Sequence, residues 1–259
     1  MPWDPVQYER FLRERELPFE DTLALVGDLP EKARIVDLGC GTGALTAKLG
    51  KAYPTADVLG IDSSNEMLTT AKKREQPRLR FVKAAIEAVD QISDRAEWDL
   101  IFSHAALHWV PDHHRLIPRL LGCLRVGGRL VVQLPSNSDH PSQRAVREAA
   151  DESPFRAALG TGVAERPTLP IAGYASLLYE AGGRNITALD KIYPHELPDA
   201  DAAVEWMRGT TLIPYLEKLP RNMHDSFVGR VRERVHSALP GSPIFYGFKR
   251  TLFAATKAA

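Results

Sequence analysis

The stretch Arg34-Ile-Val-Asp-Leu-Gly-Cys-Gly-Thr-Gly-Ala44 decides how this chain is read. A short apolar run stops at Gly39, Gly41 and Gly43 follow, and helical spacing resumes at once with Leu45 and Leu49 on one face. Strand, glycine turn and helix in that order let the backbone bend sharply and let a ligand approach without interference from a Cβ atom, while the helix start presents N–H groups. A simple βα turn needs one glycine rather than three, so this turn is read as a ligand site.

Working outward, Asp57-Val-Leu-Gly-Ile-Asp62 reads as a second strand, residues 64–73 as a helix and 79–82 as a third strand. Residues 98–102 give a fourth strand, 114–124 a helix, and 129–133 a fifth strand after a Gly127-Gly128 turn. Upstream, residues 9–16 and a segment capped by Asp21-Thr22 read as two helices. Strands separated by helical crossovers imply an α/β, doubly wound, mostly parallel sheet with helices on both faces. Beyond Pro135, residues 171–181 resemble a crossover helix, 185–193 a strand, 199–237 mainly helix and 250–255 a final strand. The chain is therefore read as a single domain. Residues 1–30 form an N-terminal helical lid, 31–193 the cofactor-binding core, 194–245 a helical cap inserted before the last strand, and 246–259 that strand. A cap so placed lies over the carboxyl ends of the strands, where open α/β sheets bind ligands.

At 259 residues the chain can bury a sizeable core within one domain, and its 33 basic residues balance its 33 acidic ones. That balance supplies no global field to draw in nucleic acid or an anionic membrane, which leaves a small molecule as the expected partner. Cys40 and Cys123 lack metal-ligand spacing and read as free thiols, with no metal site, in a reducing cytoplasm. No apolar run has signal-peptide or membrane-spanning character, so a cytoplasmic monomer or weak homo-oligomer is expected.

Two cofactors compete for the glycine turn. Gly39-x-Gly41-x-x-Ala44 satisfies the dinucleotide fingerprint, and Asp62 stands where a carboxylate would accept ribose hydroxyls in either cofactor, its plainer role being a helix N-terminal carboxylate. Asp37 separates them, because a carboxylate beside the turn suits a ligand ammonium and repels a pyrophosphate.

At this point Asp37-Leu-Gly-Cys-Gly-Thr-Gly43 resembles the first motif of class I S-adenosylmethionine-dependent methyltransferases. Gly60-Ile-Asp62-Ser63-Ser64 with Met67-Leu68 resembles their second motif, and Arg125-Val-Gly-Gly-Arg-Leu-Val-Val132 their fifth strand. The resemblance implies a Rossmann-like seven-stranded sheet and S-adenosylmethionine, without metal, as cofactor. It places Gly39, Cys40, Gly41 and Gly43 around the methionine moiety, Asp37 near its ammonium and Asp62 on the ribose. Ser63 and Met67 border the adenine, Ala85 and Ile86 contact the base, and Ser103 is counted with them as a cofactor-binding residue. Many relatives carry Asp where this chain has Ala85, so backbone groups and apolar packing are expected to recognise the base here. Trp3 and Tyr8 resemble an N-terminal segment that closes over the cofactor, or they simply pack a first helix.

Ser103-His-Ala-Ala-Leu-His108-Trp109 lies where the family builds the wall between sulfonium and acceptor, the plainer reading being a loop packed under the next helix. Trp3-Asp-Pro-Val-Gln-Tyr8, Leu107-His-Trp-Val-Pro-Asp-His113 and Trp206-Met-Arg-Gly-Thr-Thr-Leu-Ile-Pro-Tyr215 resemble the branch of the family that methylates trans-aconitate on a carboxylate. A polycarboxylate substrate would require cations and donors, and the chain offers His104, Arg147, Arg208, Lys249, Arg250, Tyr174, Tyr215 and Tyr246. The acceptor-positioning candidates are His104, His108, Trp109, Arg208 and Tyr215, with no acid/base residue required. Another small acid, a phenol or an amine remains open as acceptor. From other classes, a nicotinamide-linked reductase, which would lack the Tyr-x-x-x-Lys pair, and a non-catalytic cofactor-binding regulator also remain.

Overall fold

The computed structural model describes residues 13–92, 98–163 and 168–259. The expectations for Trp3 and Tyr8 lie outside them. Element order is α1 (Arg13–Ala24), β1 (Arg34–Leu38), α2 (Ala44–Ala52), β2 (Asp57–Asp62), α3 (Asn65–Ala71), β3 (Leu79–Lys83), β4 (Trp98–His104), α4 (His113–Gly122) and β5 (Leu124–Pro135). There follow α5 (Pro141–Ala150), α6 (Phe155–Leu159), α7 (Ile171–Glu180), β6 (Gly183–Leu197), α8 (Ala200–Arg208), α9 (Ile213–Lys218), α10 (His224–Ala238) and β7 (Ile244–Lys257). The seven strands form one sheet in the order β3-β2-β1-β4-β5-β7-β6. β1 to β5 pair in parallel, and β7 runs antiparallel to both β5 and β6.

Alternation along the strands assigns the two faces. Ile35, Leu100, Phe102, Val131 and Ala254 point to the side covered by α1, α2 and α3, where Phe19, Leu49 and Leu68 are buried. Val36, Ile101, Leu130, Val132 and Phe253 point to the other side, where α4 and α7 bring Ile117, Leu120, Tyr174 and Leu178. A third apolar cluster lies apart from both. It joins Val146 and Phe155 of α5 and α6 to Val204, Met207, Phe227 and Val231 of α8 and α10, and to Ile244, Tyr246 and Phe248 on β7. Glu152 links the same elements at the surface by accepting from Arg230 and Arg234 of α10.

Two local expectations need correcting. Among the described residues, Arg13–Ala24 is one helix that runs through Pro18, so no separate helix starts at Asp21-Thr22; Thr22 does not cap but donates its hydroxyl to the Pro18 carbonyl at 2.6 Å, and Asp21 reaches β6 instead, while residues 9–12 of the first expected helix lie outside the described residues. Gly127-Gly128 is not a turn before the fifth strand. β5 is continuous through both glycines and bulges there, between the residues paired with Trp98 and Leu100. Gly127 has φ +79°, and a Cβ on Gly128 would sit 2.6 Å from the Trp98 carbonyl oxygen.

Tyr174, one of the hydroxyls offered for an acid, is a strut on the α4 and α7 side. Its oxygen accepts the Leu169 N–H at 3.1 Å and lies 2.5 Å from His113 Nδ1, while His113 Nε2 lies 2.9 Å from the Leu107 carbonyl. A carbonyl only accepts, so Nε2 carries the proton and Tyr174 donates to Nδ1. Desolvation holds His113 below the usual histidine range and pushes Tyr174 up to about 12, so both stay neutral. The chain of bonds ends on the turn after β4 and helps to fix it. Tyr174→Phe strands two buried partners; a loss of about 1–3 kcal/mol is expected in urea unfolding at neutral pH, and a loss below a few tenths would contradict the strut.

Candidate active site

The carboxyl ends of β1, β2 and β4 converge on the glycine turn. Gly39, Gly41 and Gly43 all take positive φ, at +76°, +55° and +74°. A Cβ on Gly39 would lie 2.2 Å from Ala106 Cβ, and one on Gly43 would lie 2.7 Å from the Phe81 ring. The turn is thus wedged between the segment after β4 and the β3 side of the sheet, and glycine is required at both places for space as well as for φ.

The turn amides are largely consumed within the fold. Gly39 and Cys40 N–H both donate to Ile61 O at 2.9 Å, and Gly43 N–H donates to Cys40 O at 3.0 Å. Gly41 N–H donates to Asp62 Oδ2 at 2.9 Å, and the other carboxylate oxygen accepts the Ser64 N–H at 2.9 Å. The start of α2, by contrast, carries no side-chain cap. A pyrophosphate would have to displace a carboxylate from Gly41, so the turn is a poor phosphate cradle. It keeps the shape of a cradle for an uncharged or cationic moiety, and Asp62 retains lone pairs for hydroxyl donors.

Asp37 is buried beside it and accepts from Thr46 Oγ1 on α2 at 2.6 Å. Desolvation, reinforced by the Asp62 charge and opposed by the Thr46 bond, raises its carboxyl to about 7. Burial, with the charges of Asp37 and Asp62, also pushes the Cys40 thiol up, so it stays neutral. Asp37, Gly39, Cys40, Thr42, Leu45 and His104 line one recess.

The remaining candidates fall at different distances from this recess. Ser63 is exposed beside Asp62; Met67 is buried on α3, which Ser64 caps by accepting the Met67 N–H at 3.2 Å. Ala85 is exposed beyond β3, and Ile86 Cδ1 lies 3.7 Å from the Cβ position of Gly39, close enough to wall the turn. Ser103 donates its hydroxyl to Leu38 O at 3.0 Å, which commits it to joining β4 to β1. His104 is buried and meets Phe19 of α1 edge-on at 5.9 Å. Ala105 follows with φ +54°, a strained turn that directs His108 and Trp109, whose rings lie 4.8 Å apart.

Arg208 and Tyr215 are not among the residues that line the recess. Arg208 pairs with Glu205 at 3.3 Å on the exposed side of α8, and Tyr215 stacks on Phe227 at 5.6 Å against the third cluster. Tyr246 is buried in that cluster beside Ser142, Arg147 donates to Ser138 O, and Lys249 stands 4.0 Å from Asp139. Arg250 is 3% exposed and its Nη1 lies 3.5 Å from Gln133 Oε1, on the β5 end next to His104. Sequence reading named Arg250 without preference and passed over Gln133 and Thr46. Gln133 carries a signal, being the one polar residue inside Arg129-Leu-Val-Val-Gln-Leu134 apart from its first position.

A seven-stranded sheet whose last strand in the chain runs antiparallel between β5 and β6, with a glycine turn flanked by Asp37 and Asp62 at the strand ends, is the architecture of an S-adenosylmethionine-dependent methyltransferase. The family model described as Methyltransferase domain matches residues 36–132. Trans-aconitate 2-methyltransferases of Deinococcus radiodurans and Variovorax paradoxus are 42% and 41% identical, over 99% and 93% of this chain and 99% and 91% of theirs. Among solved structures, the YcgJ protein from Bacillus subtilis is similar with a TM-score of 0.61 at 14% identity, covering 93% of this chain and 99% of that one. Phosphoethanolamine N-methyltransferase 2 of Haemonchus contortus, in complex with S-adenosyl-L-methionine, is similar with a TM-score of 0.58 at 16% identity, covering 94% and 53%. The chain belongs to the trans-aconitate 2-methyltransferase family.

Gly39→Ala is expected to cost about 2–4 kcal/mol, combining left-handed strain with overpacking against Ala106. Ala106→Gly in the same chain should restore the steric part only. Urea midpoints of the two single variants and the double variant read this directly, and strictly additive losses would refute the Gly39–Ala106 wedge.

Proposed function

We propose that the enzyme methylates one carboxylate of trans-aconitate, giving a monomethyl ester and S-adenosylhomocysteine. The observation that carries the cofactor side is Gly41 N–H held by Asp62, with Asp37 buried next to it. The full-length relatives supply the acceptor. S-adenosylmethionine, when bound, supplies an electrophilic methyl on a sulfonium.

The glycine turn would hold its methionine moiety, Asp37 its ammonium and Asp62 its ribose hydroxyls, with Met67 and Ile86 toward the base. An ionised carboxylate is already a nucleophile at neutral pH, so the residues around the acceptor need only align and desolvate it. His104, His108 and Trp109 stand on the segment that leaves β4 beside the recess and are read as that wall. Residues 194–245, joined by α5 and α6, are read as the cap over the acceptor, and residues 1–30 as the lid. The balanced charge supports a small-molecule substrate rather than nucleic acid, and two free buried thiols fit a cytoplasmic setting. Among the described residues no helix is long and apolar enough to cross a membrane, and no group of His, Cys, Asp or Glu is placed to hold a metal ion.

Radiolabelled methyl transfer across a panel of di- and tricarboxylic acids should favour trans-aconitate. Equal turnover of neutral phenols would remove the acid assignment.

Asp37 gives a second expectation. With its carboxyl raised to about 7, it holds a proton below that pH in the free enzyme. A ligand ammonium favours the ionised form, so binding expels the proton. Affinity for S-adenosylhomocysteine should therefore fall as pH drops through 7, approaching about tenfold per pH unit. Calorimetry in buffers of different ionisation enthalpy should register proton release at pH 6 but not at pH 8. Asp37→Asn should bind more weakly with a flat profile; an equally flat wild-type profile would remove Asp37 from the ammonium.

A further inference from the structure

We propose that Gln133 and Arg250 form the anion-holding subsite for the acceptor, gripping a carboxylate of the acid other than the one that is methylated. The inference rests on the reading of the substrate as a polycarboxylate.

Gln133 is fully buried on β5, and its Nε2 has no hydrogen-bond partner. The orientation of the amide is fixed by chemistry. Arg250 Nη1 lies 3.5 Å from the other amide atom, and since a guanidinium only donates, that atom is the oxygen and the NH2 group points elsewhere. A buried amide donor left open inside a protein is a position that a ligand acceptor would satisfy.

The second partner is a buried cation. Arg250 sits between two aromatic rings, with its guanidinium carbon 4.7 Å over Phe248 and 6.0 Å from Tyr193. These rings hold the fork in place and exclude water, which strengthens its pull on a carboxylate. The nearby Asp21 is already engaged by Lys191 and by the Tyr193 hydroxyl, at 2.7 Å and 2.6 Å, so its charge is balanced locally.

Register brings the pair to the reacting edge. Gln133 is the β-sheet neighbour of His104 and of Leu252, and Arg250 lies two residues from Leu252 on the same face. His104 lines the recess with Asp37. At about 4.8 Å per strand, Arg250 on β7 stands roughly 10 Å from β4, a span suited to a small acid with one carboxylate toward the sulfonium side and another at the guanidinium.

The test uses the whole enzyme with Gln133→Glu and Arg250→Lys. Gln133→Glu places a carboxylate beside Arg250, where it competes for the guanidinium and repels the acid. Its melting temperature should stay at or above that of wild type, and its affinity for S-adenosylhomocysteine by calorimetry should be unchanged. KM for trans-aconitate should rise at least about tenfold, the scale of one lost charge-assisted hydrogen bond. Arg250→Lys keeps the charge, loses the fork and should raise KM in the same direction. A monocarboxylic analogue, lacking the gripped group, should be turned over equally by wild type and both variants. Unchanged KM for trans-aconitate in either folded variant overturns the subsite while leaving the methyltransferase reading intact. Failure of the wild-type enzyme to methylate any polycarboxylate overturns the substrate reading, and the subsite falls with it.

Discussion

The hydrogen bond from Gly41 to Asp62 is the constraint on which the site depends. It ties the end of β2 to the turn leaving β1, and the turn keeps its left-handed glycines only because that bond and the two donated to Ile61 hold it closed. Gly39 is pressed against Ala106, so the same turn sets the position of the segment after β4. Three strand ends are thereby fixed relative to one another by short backbone contacts, which is the precision that positioning a methyl donor against an acceptor demands. Asp62 therefore shapes the turn and, on the proposed reading, would present what remains of its carboxylate to a ligand.

The parts of the fold legible in sequence were those governed by local pattern. Asp57–Asp62 is a strand with the bounds that its apolar run indicates, and the glycine turn announces itself because three positive-φ residues leave a compositional mark. The failures have local causes as well. Asp21-Thr22 reads as a helix cap, yet α1 is already under way from Arg13 and carries Pro18 inside it. Gly127-Gly128 reads as a turn because the sequence does not reveal that β5 bulges there and resumes its pairing with β4. The site was less legible because its charged end is set by register. Nothing local distinguishes Arg250 from Arg208; the antiparallel pairing of β7 with β5 buries the first beside Gln133, while the helical phase of α8 turns the second toward Glu205.

The β6–β7 hairpin is longer than the sheet it completes, and this length has a structural consequence. β7 pairs with β5 only as far as Arg250, whereas its pairing with β6 continues to Ile244. Beyond the end of β5 the hairpin enters the third apolar cluster through Phe248, Tyr246 and Ile244. One strand thus carries both the buried Arg250 and the apolar anchors of α5, α8 and α10. A shift of those helices would be transmitted to the guanidinium through a continuous, fully paired strand rather than through a loop.

Charge along the carboxyl edge of the sheet is graded. Asp37 and Asp62 stand at the β1 and β2 end, His104 in the middle, and Arg250 at the β7 end. A donor that brings an ammonium and a sulfonium suits the acidic end, and an acceptor that brings carboxylates suits the basic one. The transfer itself joins a cationic methyl donor to an anionic oxygen and cancels both charges. A buried, poorly solvated edge favours that cancellation more than water does, provided that the charges which do not react stay paired. On the proposed reading, the polarity of the edge would select the substrates and set the direction from which the acid approaches the methyl group.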